Sequence, residues 1–217
     1  MTTKLPTLYQ EVIHRSRYSR YIPELGRRES WEETVNRLIN YLQSKVPEGT
    51  NLTEIQQAIM NLEVMPSMRL LMTAGEAADR DNMAIYNCSY AAVNNKRVFA
   101  EALYILLNGT GLGFSCERQE IASLPNIPDK LREVDDVIVV GDSKLGWAKA
   151  FKKLLSCLWE GDIPKIDYSR IRPAGARLRT FGGRASGPEP LRQLFNFTIN
   201  TFRQSQGRSE EHTSELQ

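Results

Sequence analysis

The chain has 217 residues, of which 41% are hydrophobic and 25% charged, so it can bury the core of one large domain. Its 28 basic and 26 acidic residues leave a net charge of +2, which indicates neither a nucleic-acid surface nor a membrane surface. No apolar run approaches the roughly eighteen residues of a spanning helix, and the start "MTTKLPTLYQ" lacks the apolar centre of a secretory signal. We therefore expect a cytoplasmic protein.

Residues 1–62 are predicted to form a helical region. Apolar residues recur at helical spacing over 29–46, and acidic residues occupy the first turn, where the helix dipole favours them. A second helix is predicted over 51–64. Pro66 is expected to end it, because a proline disfavours helical backbone at the residue before it.

From residue 63 the pattern alternates strands and helices, which favours an α/β fold. The first strand carries Cys88 in a run predicted to be buried or half-buried, and Gly109 is expected to end the helix that follows. Glycines, prolines and arginines make 163–190 irregular in this prediction. The predicted elements are a strand at 82–93, a helix at 97–108, a strand at 111–117, a strand at 135–140, a helix from Trp147 to Leu158 and a helix from Leu191 to Phe202.

Residues 208–217, "RSEEHTSELQ", are polar and have no apolar face. They match the in-frame translation of a common sequencing-library adapter, so we expect the natural protein to continue past about Gly207 and this chain to be its N-terminal part. An ordinary disordered tail is the alternative.

The cysteines and histidines do not form a pattern typical of a disulfide framework or a metal centre. Cys88, Cys116 and Cys157 are odd in number, far apart and without a CxxC pair. The two histidines are His14 and His212. We therefore expect no metal site, and nothing indicates a serine triad. From the residues alone, Cys88 is either a small packing residue or a functional thiol.

The run "NGTGLGF" at 108–114 is rich in glycine. A glycine loop that binds a pyrophosphate follows a strand and opens a helix, whereas this one follows a helix and leads into a strand. A dinucleotide site is therefore not expected here. The glycines are better explained by a turn that needs positive φ angles and by close approach of another backbone segment or a ligand.

The segment "GDSKLGW" is open to two interpretations. Asp142 and Ser143 precede a predicted helix and can cap it, which places free amide groups and Lys144 at the positive end of the helix dipole. Such an end suits a phosphate group. A plain helix cap is the alternative.

The stretch "RPAGARLRTFGGRASGP" places arginines among small and flexible residues. The guanidinium group presents a planar set of donors that suits phosphates and base edges. A solvated basic loop is the ordinary explanation, and a loop that changes shape when a ligand binds is the alternative.

Seven collinear segments resemble the adenosylcobalamin-dependent (class II) ribonucleotide reductases, and specifically their monomeric ribonucleoside-triphosphate reductase type. The resemblance extends from about Tyr18 to Gly207, and seven segments in order are far more specific than one glycine loop. The segments are "RRESWEETVNRLINYL", "VMPSMRLLMTAG", "RDNMAIYNCSY", "YILLNGTGLGFS", "VIVVGDSKLGWAKAF", "IRPAGARLRTFGGRASGPEPL" and "FTINTF".

The resemblance implies an α/β fold in which the helical N-terminal region, 1–62, is followed by the first strands of a ten-stranded α/β barrel. Residues 63–207 would form this first, truncated part of the barrel. An insertion at about 131–180 would build the effector site and replace the dimer partner of other classes, which implies a monomer.

The resemblance also implies roles for individual residues. Cys88 would be one of two thiols that reduce the ribose, while its partner cysteine, the radical cysteine and a glutamate would lie beyond this chain. Substrate contacts would come from Ser67, Arg69 and Asn87. Effector contacts would come from Asp142, Ser143 and Lys144. The specificity loop would contain Gly182, Gly183, Arg184 and Ser186.

The implied reaction is the reduction of ribonucleoside triphosphates to 2′-deoxyribonucleoside triphosphates by thiyl-radical chemistry, with adenosylcobalamin as the cofactor. The implied partners are the ribonucleoside triphosphate substrate, a deoxynucleoside triphosphate effector and a thioredoxin-like reductant. Two alternatives stay open, namely a ribonucleotide reductase of another radical class and a non-catalytic deoxynucleotide-binding regulatory module. The arginine-rich stretch favours the cobalamin type over other radical classes.

Overall fold

The computed structural model describes residues 5–178 and 183–206. The chain divides into two compact units, Met1–Asn87 and Cys88–Gln217, and it mixes helices with strands, which confirms the α/β prediction at this level. Within the described residues, no helix combines the length and apolar character needed to cross a membrane.

The first unit is mainly helical. Its two short strands, β1 and β2, pair in an antiparallel hairpin. Its elements are α1 (Leu8–Ile13), a π-helical turn (His14–Tyr18), β1 (Tyr21–Ile22), a 3-10 turn (Pro23–Leu25), β2 (Arg27–Arg28), α2 (Trp31–Leu42), α3 (Leu52–Met60), α4 (Met68–Thr73), α5 (Glu76–Arg80) and a 3-10 turn (Asn82–Ile85).

Local sequence explains where the two predicted helices of this unit begin and end. Ser30 caps α2 in a reciprocal pair of hydrogen bonds with Glu33, and the apolar positions of α2 then face the core. Helix α3 ends at Met60, with Asn61 as its C-cap, because Leu62 adopts a left-handed conformation with φ of 62° and the Glu63 N–H bonds back to the Ala58 carbonyl. The helix therefore stops before Pro66, earlier than predicted.

A buried ion pair joins several segments of the first unit. The carboxylate of Glu29, a residue that is 9% exposed, accepts hydrogen bonds from Arg37 Nε at 2.8 Å and Nη2 at 3.0 Å. It also accepts the Arg20 main-chain N–H and the Thr34 hydroxyl, each at 3.1 Å. Burial works to raise the pKa of Glu29, but these hydrogen bonds, led by those from Arg37, outweigh it and lower the pKa. Arg37 also donates to the Leu71 carbonyl, so the pair fixes α2 against the end of α4.

The second unit contains two parallel strand pairs, each of which is connected by a helix. Helix α6 joins β3 to β4, and α8 joins β5 to β6. Its elements are β3 (Cys88–Ala92), α6 (Arg97–Leu107), β4 (Gly111–Ser115), α7 (Arg118–Ile121), β5 (Arg132–Val139), α8 (Lys144–Glu160), β6 (Asp162–Asp167) and α9 (Glu189–Gln204).

The core of this unit lies between β5, α8 and α9. Leu154 and Leu158 of α8 and Phe195 of α9 are fully buried in it, and Phe151 stacks on Phe195 with ring centroids 5.6 Å apart. Helix α6 packs against α8, so the two β-α-β segments share one unit. The helices predicted at 97–108 and from Leu191 are confirmed by α6 and α9.

Two parts of the sequence prediction are wrong. Residues 82–85 form a 3-10 turn, in which the Asp81 side chain accepts the Met83 N–H, so the predicted strand shortens to β3. Strand β6 lies inside the stretch predicted to be irregular. Its Pro164 lies between Ile163 and Lys165, where the β5–β6 register shifts, and has no register partner on β5; such irregular positions are where strands accept a proline.

The ten-stranded barrel is not observed. The described strands form three sheets of two strands each, and the parallel pairs are the arrangement that α/β folds build with crossover helices.

Candidate functional site

Cys88 is the first residue of β3 and pairs with Gly111 at the start of β4. The Ser89 hydroxyl donates to the Gly111 carbonyl at 3.0 Å and adds to this pairing. The run predicted to be a buried or half-buried strand forms the half-buried strand β3, and Cys88 itself is exposed. The reason is that Cys88 and Tyr90 point to the same face of the strand, and this face is open among the described residues, with Tyr90 69% exposed.

The three predicted substrate contacts lie in the first unit. Ser67 and Arg69 belong to α4 and its cap, and Asn87 is the last residue of the unit. The Ser67 hydroxyl caps α4 by accepting the Leu70 N–H at 3.1 Å. Arg69 is half-buried in α4, and its carbonyl accepts the Thr73 hydroxyl. Asn87 is exposed and directly precedes Cys88 in the sequence. Substrate binding by Ser67, Arg69 and Asn87 stays a prediction.

Asp142 lies in the turn between β5 and α8 and is held by Arg172. Arg172 Nε lies 3.0 Å from Oδ1 and 2.8 Å from Oδ2 of Asp142, and the Arg172 main-chain N–H donates to Oδ1 at 3.3 Å. The Asp142 side chain is 34% exposed and the Arg172 side chain is 39% exposed. Water therefore screens the pair in part, and a ligand can reach both groups.

Ser143 caps α8, because its hydroxyl accepts the Gly146 N–H at 2.9 Å. Gly146 lies so close to the preceding turn that a Cβ on it would stand 2.5 Å from the Gly141 carbonyl oxygen. The turn and the first turn of α8 therefore form one tightly packed backbone cradle, which we call the α8 cradle (residues 141–146). The helix-cap interpretation of Ser143 matches this geometry, and phosphate binding at this helix end stays a prediction.

Lys144, the first residue of α8, contacts a different part of the unit. Its Nζ donates to Asn108 Oδ1 at 2.8 Å, and Asn108 is 3% exposed at the C-terminal end of α6. The Asn108 amide in turn donates to the Tyr104 carbonyl at 3.0 Å. This bond connects the α8 cradle to the end of α6.

The predicted specificity loop is described in part. Gly182 lies outside the described residues. Gly183 has a φ of 85°, in the left-handed region that glycine tolerates, and its carbonyl accepts the Leu178 N–H. Arg184 Nη1 donates to the Gly175 carbonyl at 3.0 Å, and the Ser186 hydroxyl lies 3.2 Å from the carbonyl of the next residue. The two sides of this loop are therefore joined by hydrogen bonds.

The other two cysteines differ in environment. Cys116 is exposed, and Cys157 is half-buried in α8. Burial, helped by the nearby Glu160, raises the pKa of the Cys157 thiol, which keeps it protonated and poorly nucleophilic. Among residues 5–178 and 183–206, no group of three or more His, Cys, Asp or Glu side chains is placed to hold a metal ion.

Sequence reasoning missed two contacts of the α8 cradle. Arg172 was noted only as part of an arginine-rich stretch, and Asn108 only as the start of a glycine-rich run. They lie 30 and 36 residues away from Asp142 and Lys144. The sequence signal for these two contacts is weak: Arg172 and Asn108 are polar residues near the ends of predicted elements, and nothing local indicates their partners.

Comparison with known protein families gives two matches along the chain. Residues 2–75 match the ribonucleotide reductase alpha domain, and residues 128–202 match the insertion domain of B12-dependent ribonucleotide reductase. The second match includes the α8 cradle, Arg172 and the described part of the predicted specificity loop.

Curated relatives and a solved structure agree with these matches. An adenosylcobalamin-dependent ribonucleoside-triphosphate reductase from Lactobacillus acidophilus is 26% identical over 85% of this chain and 34% of its own length. A protein of the same name from Lactobacillus leichmannii is 26% identical over 83% of this chain and 34% of its own length.

The crystal structure of a B12-dependent (class II) ribonucleotide reductase has the same fold over 91% of this chain and 37% of its own, with a TM-score of 0.78 and 23% identity. The chain thus spans about a third of the length of the curated relatives it matches. Together, the two family matches, the named relatives and the shared fold show that the chain belongs to the adenosylcobalamin-dependent (class II) ribonucleotide reductases.

Proposed function

We propose that the protein to which this chain belongs reduces ribonucleoside triphosphates to 2′-deoxyribonucleoside triphosphates and so supplies precursors for DNA synthesis. The observation that carries the proposal is the match of 128–202 to the insertion domain of B12-dependent reductases, in a chain whose curated relatives are named as ribonucleoside-triphosphate reductases. Adenosylcobalamin is the proposed cofactor. It supplies the radical when bound, and we place its contacts mostly outside this chain.

We assign Cys88 the role of a reducing thiol. Reduction of the ribose replaces the 2′-hydroxyl by hydrogen and releases it as water, and the two protons and two electrons that this requires come from a pair of cysteine thiols that end as a disulfide. An exposed thiol at the first residue of a parallel strand is accessible both to a substrate and to a second sulfur. A thioredoxin-like protein is the proposed external reductant that restores the thiols.

We further propose that β3 and β4 are the first strands of a ten-stranded barrel formed with the rest of the protein, with 63–207 as its first part. The parallel β3-α6-β4 arrangement supports this proposal, because a barrel of this kind is built from strands joined by crossover helices. The insertion at about 131–180 would allow the protein to act as a monomer.

The α8 cradle is the proposed site for a deoxynucleoside triphosphate effector. It lies outside the carboxyl ends of two parallel strands and at the N-terminus of a long helix, where backbone amides and Lys144 favour an anionic group. Asp142 can accept a hydroxyl or a base N–H of the nucleoside while it holds Arg172 in place. The specificity loop with Gly183, Arg184 and Ser186 follows in the same family-matched region.

The role of Cys88 is tested in the full-length enzyme with cobalamin, a ribonucleoside triphosphate and a thioredoxin system. Cys88→Ser should abolish multiple-turnover reduction, because serine cannot form a disulfide. Cys116→Ser removes another exposed thiol and serves as the matched control, which should keep its activity. Sustained turnover by Cys88→Ser would refute the assignment.

The effector site is tested by direct binding of deoxynucleoside triphosphates to the same enzyme. Asp142→Ala should weaken binding by about tenfold or more, the size expected for a lost hydrogen bond to a charged group. Asp135→Ala is the control, because Asp135 also pairs with a basic side chain, Lys165, but is fully exposed on β5. Equal affinity in Asp142→Ala and the wild type would refute this site. Nucleotide binding without any turnover by the wild type would favour the regulatory-module alternative.

A further inference from the structure

Asn108 occupies a buried position between the end of α6 and the start of α8. It ends α6, where its main-chain N–H bonds to the Tyr104 and Ile105 carbonyls and its side-chain amide donates to the Tyr104 carbonyl. Its Oδ1 faces the first residue of α8 and accepts the Lys144 ammonium at 2.8 Å. A buried polar side chain that satisfies both a helix end and a charged group is costly to disturb, because each lost partner leaves a desolvated group behind.

The backbone that follows Asn108 leads directly to the strand pair that carries Cys88. Gly109 turns the chain with a φ of 75°, and Thr110, which is 1% exposed, is anchored by its N–H to the Ile105 carbonyl. The next residue, Gly111, is the register partner of Cys88. Only two residues, Gly109 and Thr110, therefore separate the contact of Asn108 with Lys144 from the backbone position opposite the thiol.

We propose that Asn108 is a positioning residue that couples occupancy of the α8 cradle to the placement of Cys88. This inference rests on the proposed function, because it requires an effector in the cradle and a reducing thiol on β3. An anionic group that binds the cradle attracts the Lys144 ammonium and accepts hydrogen bonds from it. One of the three N–H donors of this ammonium already bonds to Asn108 Oδ1. Any displacement of the ammonium is transmitted through Asn108 Oδ1 to the turn that sets the start of β4. The route is separate from the predicted specificity loop.

The test uses the full-length enzyme and measures ribonucleotide reduction with and without a saturating deoxynucleoside triphosphate. Asn108→Ala should lose at least about fivefold of the effector-dependent increase in kcat/KM, taken as the ratio of the variant's own values with and without effector; fivefold is the lower end of common coupling factors. Asn94→Ala is the matched control. Asn94 is an exposed asparagine before α6 that bonds to Glu120, and its removal should leave the effector response intact.

Asn108→Asp separates coupling from helix capping. It keeps an oxygen acceptor for Lys144 and loses the amide that donates to Tyr104. The proposal expects Asn108→Asp to restore most of the effector response that Asn108→Ala loses. If both variants lose the response equally and their thermal midpoints fall together, Asn108 only caps α6 and the proposal is wrong.

Failure of the proposed function has a different signature. A wild-type enzyme that does not reduce ribonucleoside triphosphates, or does not respond to deoxynucleotides, would overturn the function on which the inference rests. A wild-type enzyme that responds, together with an Asn108→Ala variant that responds equally, would overturn the role of Asn108 alone.

Discussion

The substitution Gly146→Ala tests whether the α8 cradle depends on close backbone contact. In an ordinary helix position, alanine is more favourable than glycine by about 1 kcal/mol. At Gly146, however, the added Cβ would lie 2.5, 2.8 and 2.9 Å from the carbonyl oxygen, carbonyl carbon and Cα of Gly141. All three are backbone atoms, so no side-chain rotation can relieve the contact, and either the turn or the helix must move.

The size of the effect follows from these opposing contributions. Overpacking costs about 1–3 kcal/mol, and three backbone contacts shorter than 3.0 Å put Gly146→Ala in the upper part of that range, at about 2–3 kcal/mol. The helix preference of alanine offsets about 1 kcal/mol of this cost. We therefore expect a net local destabilisation of about 1–2 kcal/mol. At equilibrium this corresponds to roughly 5- to 30-fold faster hydrogen exchange for amides of the α8 cradle in the intact protein.

A matched glycine provides the control for this experiment. Gly113→Ala places a Cβ no closer than 3.8 Å to its neighbours, an ordinary van der Waals contact, and should leave exchange in the cradle unchanged. The moved turn in Gly146→Ala should also weaken deoxynucleotide binding. Unchanged or slower exchange in Gly146→Ala would refute the close-packing argument, because the helix preference would then outweigh the contact.

Two further predictions concern the first unit. Glu29→Ala should lower the free energy of unfolding by about 3–5 kcal/mol in urea denaturation, because it leaves the Arg37 guanidinium buried without its carboxylate partner. Lys45→Ala, which removes an exposed ion pair, should have a much smaller effect. Burial lowers the pKa of His14, so its folded pKa lies below its unfolded value of about 6.5. The unfolded state therefore takes up the proton first, and stability should fall as pH drops below about 6.5. His14→Gln should flatten this part of the pH dependence, and an equally steep profile in the variant would contradict the assignment.

The elements predicted correctly are those whose signal is local. Helices α2, α6 and α9 combine apolar spacing of 3.6 residues with a recognisable start or end, such as the Ser30 cap or Gly109 after α6. These features lie within a few residues of one another along the chain, so one sequence is enough to identify them.

The elements that were missed depend on partners elsewhere in the chain. Strand β6 contains Pro164, which argues against a strand when the sequence is read alone, and only the shifted register of β5 makes the proline acceptable. The exposure of Cys88 within the half-buried strand β3 also depends on partners elsewhere in the chain. A strand of Ile, Tyr and Ala predicts an apolar environment, but burial is decided by what packs on each face, and the face of Cys88 is open among the described residues.

The candidate effector site contains both kinds of feature: some are local in the sequence, and others depend on residues far away in the chain. The sequence predicted that Asp142, Ser143 and Lys144 lie at the start of a helix, because capping residues and the helix dipole are local features. It did not predict that Arg172 holds Asp142 or that Asn108 holds Lys144. These contacts change the chemistry of the site, since a nucleotide cannot bind to free side chains there but must join or replace existing hydrogen bonds. A nucleotide that bound the α8 cradle as proposed would therefore meet groups already bonded to the end of α6 and to the chain after β6. These bonds are the connection that the proposed coupling to Cys88 uses.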